Sequence, residues 1–224
     1  MPVLQTSDGL SLNAEIRDLI VAGWAGRDRA ALDHHIAELA ALGVAPPSSV
    51  PLFYRVSADL LTTRTRLQML GADGSGEAEA VILGAEGRLW VGIGSDHTDR
   101  KVEAYSVAVS KQMCAKPIGP QVWPLDEVAA HWDKLILRSF ATIQGERVLY
   151  QEGPVSSLLT PMELLKSWKA AHGAFGDGFA MLCGTLPAIG GVRPSERFEI
   201  ALEDPVRERT LTHAYEIASL PVVA

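Results

Sequence analysis

The chain has 224 residues, 47% of them hydrophobic and 21% charged, the balance of a globular protein long enough for one large domain. A formal net charge of −7 opposes non-specific binding to nucleic acid, and no basic run offsets it. The apolar stretch 178–192 is broken by Gly184, Pro187, Gly190 and Gly191, too interrupted for a membrane helix, and the N-terminus has neither the basic nor the apolar segment of a secretion signal. A cytoplasmic protein with no nucleic-acid and no membrane partner is expected.

In chain order, Thr6–Asn13 alternates around Asp8-Gly9, a hairpin signal, and Ala14–Gly23 reads as a strand running into a glycine turn. Asp28–Leu42 is the clearest helix: Asp28 can cap it, Leu32, Ile36, Leu39 and Leu42 recur at helical spacing, and Gly43 ends it. Pro46, Pro47 and Pro51 force an extended linker before a strand at Leu52–Val56. Leu67–Gly94 holds three apolar runs separated by glycine turns at 71–76 and 84–87. Val102, Tyr105, Ser106 and Val109 suit a helix within Asp99–Lys111, and Leu125–Asp133 reads as a short helix. Leu135–Tyr150 reads as two strands paired about Gln144-Gly145-Glu146. Thr160–Lys169 is a further helix with Pro161 at its favoured first position, and Phe179–Gly184 and Arg197–Leu202 close the chain as strands. Many short strands, glycine turns and few helices predict a mainly β architecture with peripheral helices, an α+β fold.

Gly76–Leu83 and Gly94–Arg100 carry the sharpest chemical signal. Glu77 and Glu79 stand two apart in a strand-like run, so they share a face. Two carboxylates on a half-buried face repel each other unless a cation or a proton offsets the charge. Asp96, just past the next apolar run, adds a third oxygen donor, and three carboxylates suit a hard divalent cation, Mg²⁺ or Mn²⁺. A solvent-facing strand edge is the competing reading.

Other residues fit chemistry around such a cation. His35 and Glu38, three apart on the first helix, can meet as a base that activates water, or else line a solvated face. Lys111 precedes the rigid turn Pro117-Ile118-Gly119-Pro120 and can stabilise a developing enolate or carboxylate charge, unless it is a surface lysine. Arg55 and Arg100 are candidates to hold a substrate carboxylate, and backbone N–H groups at Gly184 and Thr185 can form an anion site. Cys114 and Cys183 lie far apart without ligand spacing and read as reduced and buried. No phosphate-binding loop, dinucleotide fingerprint or nucleophile elbow occurs.

In this order the pieces resemble the C-terminal catalytic domain of the fumarylacetoacetate hydrolase (FAH) superfamily, over about 21–206. The motifs are His35-Ile-Ala-Glu38, the prolines before Leu52–Arg55, Glu77-Ala-Glu79, Ser95-Asp96-His97-Thr98-Asp99-Arg100, Lys111 before Pro117–Pro120, and Cys183-Gly184-Thr185-Leu186-Pro187. The stretch between the glutamates and Asp96 is shorter than in the family, Ser95 stands for an asparagine, and Leu186 is inserted before Pro187. The resemblance is closest to an uncharacterised bacterial branch known as a domain of unknown function. It implies a twisted β-roll, a divalent metal, a homodimer, and a carboxylic acid substrate of the 2-oxo or β-diketo class. On this reading 1–20 is an N-terminal hairpin appendage and 21–224 the catalytic domain. His35, Glu38 and Lys111 are then catalytic, Arg55, Arg100, Gly184 and Thr185 bind substrate, and Glu77, Glu79 and Asp96 hold the metal. The implied function is a metal-dependent hydrolase or lyase that acts on a small 2-oxo acid or acylpyruvate, through C–C cleavage or decarboxylation. A non-catalytic metabolite-binding relative and a purely structural β-protein are the alternatives.

Overall fold

Two sheets of unequal burial make the frame. The computed structural model describes residues 3–41, 46–173 and 175–223; the side chains of His35, Glu38 and Leu39 lie outside that description. Among the described residues, eight strands form one sheet in the order Ser11–Leu12, Leu4–Thr6, Gln121–Pro124, Arg88–Ser95, Ala78–Ala85, Phe179–Thr185, Asp18–Gly23, Leu52–Val56. Five form a second sheet in the order Glu146–Pro154, Ile136–Ile143, Arg197–Asp204, Arg209–Leu220, Arg66–Leu70. Two short pairs, Gly74–Ser75 with Thr98–Asp99 and Leu61–Thr62 with Lys116–Pro117, tie loops together. The expected mainly β fold with peripheral helices is the fold observed.

The eight-stranded sheet is covered on both faces. Ala78, Ala80 and Ile82 face a core shared with Phe198, Ile200, Leu202 and Tyr215 of the second sheet. Val81 and Leu83 face the opposite core, with Leu19, Val21, Ile118, Val122 and Leu182. A strand buried on both faces is apolar over most of its length, which is why 80–85 does not alternate. Each such Val, Leu or Ile contributes roughly 1.5–3 kcal/mol by leaving water. The five-stranded sheet is covered on one face, and Arg197–Asp204 accordingly alternates partly exposed and buried residues.

Two-residue turns fix the hairpin registers. Glu86 and Gly87 both have positive φ, 55° and 70°, and pair Ala85 with Arg88. Gln144 and Gly145 do the same, at 53° and 78°, between Ile143 and Glu146.

Helix α1 spans Arg29–Ala41, and Asp28 accepts the Ala31 N–H at 3.0 Å as expected of a cap. The expected helix end at Leu42 and Gly43 lies outside the described residues. The 99–111 segment forms two helices, α2 (Arg100–Glu103) and α3 (Val107–Met113), because Asp99 and Ser106 each cap a separate start. Helix α4 (Pro161–His172) opens with a reciprocal Thr160–Glu163 capping box. Leu125–Asp133 is not an α-helix: it is two 3₁₀ segments, Leu125–Glu127 and Ala129–Lys134, with His131 outside helical angles. The 12-residue strand Arg209–Leu220 was not anticipated from the sequence.

Within 1–20, Leu4–Thr6 and Ser11–Leu12 pair about Asp8-Gly9, and Leu4–Thr6 also pairs in parallel with Gln121–Pro124. Leu4 and Leu12 are buried in the core, and the strand Asp18–Gly23 runs across the 20/21 boundary. Among the described residues no helix is long and apolar enough to cross a membrane.

Candidate metal centre

The hairpin of Ala78–Ala85 and Arg88–Ser95 carries Glu77 and Glu79 at its entry and Asp96 at its exit. Antiparallel pairing brings these ends together, and the Asp96 N–H donates to the Glu77 carbonyl at 3.0 Å. One oxygen from each of the three carboxylates lies within 4.8 Å of the others. Asp96 is fully buried and Glu79 is 2% exposed, while Glu77 keeps a partly open face. The neighbouring strand Phe179–Thr185 shifts register between Leu182 and Thr185, and the Gly184 N–H there donates to Glu79 Oε2 at 2.7 Å. Gly184 has φ +95°, and an added Cβ would stand 2.8 Å from that of Ala25, so only glycine fits.

Cations answer these carboxylates unevenly. Lys111 bonds Asp96 and lies 3.9 Å from Glu77. Lys116 Nζ is 3.2 Å from Asp96 Oδ1 and donates to the carbonyls of His97, Lys111 and Cys114 at 2.7, 2.6 and 3.1 Å. Arg100 places Nη2 3.0 Å from Glu77 and Nη1 2.9 Å from Glu103, and its Nε donates to Ser75 at 2.6 Å. Burial, with the Asp96 and Glu77 charges added, raises the Glu79 carboxyl well above its ordinary value. Burial also raises Glu77, although Lys111 and Arg100 oppose it. Burial works against the Asp96 charge too, yet Lys111 and Lys116 hold it below the usual range. Lys111 is lifted above its ordinary value because Asp96 and Glu77 outweigh burial, whereas burial wins at Lys116. Among the described residues Glu79 makes no ion pair, and Lys111 only partly offsets its charge.

The donor set fits a hard divalent cation. It offers three carboxylates, and Asp96 Oδ1 is buried without a hydrogen bond, since Lys116 approaches it out of line. Glu77, Glu79 and Asp96 are the residues able to hold such an ion. Around them, Ser95 Oγ accepts the Glu77 N–H at 3.1 Å and lies 3.0 Å from the Tyr215 hydroxyl, which is 3.1 Å from His97 Nδ1. Burial, with Lys116 and Arg100 nearby, pushes His97 down to about 3, so its ring is neutral. Tyr215 belongs to the second sheet, so both sheets fix the backbone at Glu77. Gly76 sits directly beneath this contact: a Cβ there would overlap the Phe198 ring and come within 2.7 Å of the Tyr215 hydroxyl.

A cavity of about 450 Å³ opens over Glu77, Glu79 and Lys111, with Trp24, Leu32 and Tyr54 among its walls. A larger recess of about 750 Å³, lined by Asp59–Arg64 and Arg66–Gln68, holds none of the acidic cluster. Convergent titratable groups, not volume, make the smaller one the candidate site.

Glu77, Glu79, Asp96 and Lys111 thus meet in one place, and Arg100 reaches Glu77 from an adjoining recess. Arg55 does not come to the site. It is exposed and paired with Asp18, because strand alternation turns its neighbour Tyr54 into the cavity and Arg55 away. Gly184 and Thr185 line the cavity, but not as a free anion site. The Gly184 N–H is held by Glu79, and the Thr185 hydroxyl donates to the Ala78 carbonyl at 2.8 Å while accepting from Gln151 at 2.7 Å. His35 and Glu38 ride on α1, whose Leu32 lines the cavity; their side chains lie outside the described residues. Sequence reasoning missed Lys116, Tyr54 and Tyr215. Only Tyr54 had a local signal, the alternation of Leu52–Val56.

The model of a family described as Protein of unknown function (DUF2848) matches residues 22–215. A search of curated proteins finds no match. Among solved structures, the chain is similar to a protein assigned as a fumarylacetoacetate isomerase/hydrolase from Oleispira antarctica, at 17% identity and a TM-score of 0.71, covering 97% of this chain and 100% of that one. It is also similar to a protein from Yersinia pestis CO92 assigned to the fumarylacetoacetate hydrolase family, at 18% identity and 0.67, covering 96% and 100%. A 5-carboxymethyl-2-hydroxymuconate delta-isomerase from Mycobacterium smegmatis matches at 19% identity and 0.64, covering 93% and 79%. These likenesses establish the fold, the one shared by fumarylacetoacetate hydrolase-like proteins.

Proposed function

The chain belongs to the DUF2848 family, on the fumarylacetoacetate hydrolase fold, and from that premise we propose that it is a divalent-cation-dependent hydrolase or lyase. Its substrate is a 2-oxo acid or acylpyruvate, and the bond lost is C–C, by hydrolysis or decarboxylation. Glu77, Glu79 and Asp96 hold the ion, Mg²⁺ or Mn²⁺. The observation that carries the reading is Glu79, a buried carboxylate beside two others with, among the described residues, one hydrogen-bond donor and no ion pair. When bound, the ion supplies Lewis acidity to an oxo-carboxylate.

The chain's own groups do the rest. Lys111, held protonated by Asp96 and Glu77, offers a fixed positive charge for a carboxylate or a developing enolate oxygen. Trp24, Leu32 and Leu158 give the cavity apolar walls. His35, backed by Glu38, takes the proton of the attacking water in the hydrolytic case. A homodimer in the cytoplasm belongs to the same reading, with strand edges covered by a second copy. Binding of a metabolite without turnover is the second reading, favoured by the exposure of most described side chains on α1.

Calorimetric titration tests the assignment. Mn²⁺ binds the parent tightly and Glu79→Gln weakly or not at all; equal binding to both overturns it. With a panel of 2-oxo acids and acylpyruvates, turnover requires the ion, and His35→Ala lowers hydrolysis by ~10²–10⁴-fold while leaving Mn²⁺ affinity intact. A protein that binds ion and 2-oxo acid but turns over none of the panel is the non-catalytic relative.

A further inference from the structure

We infer that this cavity selects 2-oxo acids with a single carboxylate and an apolar tail, and rejects dicarboxylates; the inference rests on the function proposed above. The cavity, about 450 Å³, falls within the roughly 300–1,000 Å³ typical of small-molecule sites. At about 30 Å³ per water it would hold on the order of fifteen waters, far more than pyruvate displaces. Something longer is needed to fill it.

The charges around it decide what that something is. Among the described residues lining the cavity, the ionisable acids are Glu77, Glu79 and Glu103, and the only cation is Lys111. Lys111 is bonded to Asp96 and near Glu77, so it serves the end of the ligand that meets the acidic cluster. Two arginines adjoin it: Arg27, which donates to the Leu158 carbonyl at 3.0 Å and is paired with Asp133, and Arg100, which lines an adjoining recess of about 190 Å³. The Arg100 guanidinium donates to Ser75 and Glu103 at 2.6 and 2.9 Å, and its Nη2, without a hydrogen bond, is ion-paired with Glu77 at 3.0 Å. Among the described residues, a second carboxylate there would find no cation outside an ion pair and would face Glu103. An unpaired charge in such a place is strongly disfavoured.

The remaining walls suit hydrocarbon. Trp24, Leu32, Val107, Leu158, Leu186 and Pro187 present apolar surface around the same space. Each methylene buried against it tightens binding roughly fourfold.

The test compares two matched series on the full chain saturated with Mn²⁺, by calorimetry rather than turnover. One series is pyruvate, 2-oxobutyrate, 2-oxovalerate and 2-oxohexanoate; the other is oxaloacetate, 2-oxoglutarate and 2-oxoadipate. The monoacids are expected to tighten roughly fourfold per methylene. Each diacid is expected to bind at least about tenfold more weakly than the monoacid of equal chain length. Leu32→Arg adds a cation on a half-exposed helix position, outside the acidic cluster, and is expected to narrow the gap by improving the diacids alone. Diacids that match or beat the monoacids, or a monoacid series without length dependence, overturn the inference and leave the proposed function standing. An unchanged gap in Leu32→Arg also overturns it. If Mn²⁺ binds but neither series does, the proposed function falls and this inference with it.

Discussion

Asp204 and Glu79 are both buried carboxylates near strand ends, and their surroundings could hardly differ more. Asp204 closes the strand Arg197–Asp204 and is saturated with donors. His131 Nε2 lies 2.9 Å away, Arg209 Nε donates at 3.2 Å, and the N–H groups of Val206 and Arg207 each donate at 3.2 Å. Burial opposes its charge, but those donors hold the carboxyl below its ordinary value. Among the described residues Glu79 has a single donor, the Gly184 N–H, and two carboxylates for neighbours. Burial and charge alone therefore do not mark a functional site. A deficit of donors does, because a saturated carboxylate has nothing left to offer a ligand.

The largest expected effect tests what balances the deficit. Asp96→Ala leaves Lys111 and Lys116 buried without their carboxylate, and the loss should be about 3–5 kcal/mol by urea unfolding. A loss below that of Asp204→Asn would break the comparison, since it would make the acidic cluster the more dispensable of the two. Next comes the ion. At about 100 times its dissociation constant, Mn²⁺ should stabilise the parent by roughly 2.7 kcal/mol and raise its melting temperature. Glu79→Gln should lose this gain and Asp204→Asn keep it; a gain lost equally in both would put the ion elsewhere.

The smallest effect belongs to the saturated carboxylate. Asp204→Asn should cost about 2 kcal/mol near neutral pH, the scale of hydrogen bonds to a charged group. The Asp204 carboxyl titrates lower in the folded chain than its unfolded value of 3.8, so its stabilisation is complete above that value. It disappears as pH falls through the folded value, and parent and variant should converge in strong acid. Unfolding curves across that range check the sign; a penalty that persists in acid would mean that shape, not charge, matters at Asp204.

Much of the candidate site is legible in the sequence because local geometry decides it. Strand alternation puts Glu77 and Glu79 on one face, and the two-residue turn at Glu86-Gly87 returns the chain so that Asp96 arrives beside them. The same alternation shows why Arg55 misses: one residue separates it from Tyr54, and one residue is a change of face. Lys116 obeys no period. Its ammonium is held by three carbonyls that the path after α3 collects, which is a tertiary fact. The helices with strong caps, at Asp28 and Thr160, are legible too. Leu125, Val128 and Trp132 have helical spacing and are all buried, yet Leu125 and Trp132 sit on separate 3₁₀ segments and Val128 on the turn between them, because packing rewards the spacing whichever backbone supplies it. The strand Arg209–Leu220 hides because its buried face mixes Leu211 and Tyr215 with His213.

Gly76 ties the inheritance of the acidic pole to that of the outer sheet. No side chain fits there while Phe198 and Tyr215 keep their size, since even a methyl group would overlap the Phe198 ring and crowd the Tyr215 hydroxyl. Alanine at 76 is thus closed to a lineage until smaller residues have taken the places of Phe198 and Tyr215, and the reverse order passes through a displaced Glu77. Which substitution is tolerated then depends on which came first. Divergence in the outer sheet sets the routes by which the ligand end of the hairpin can change, though Phe198 itself offers no carboxylate to the cluster.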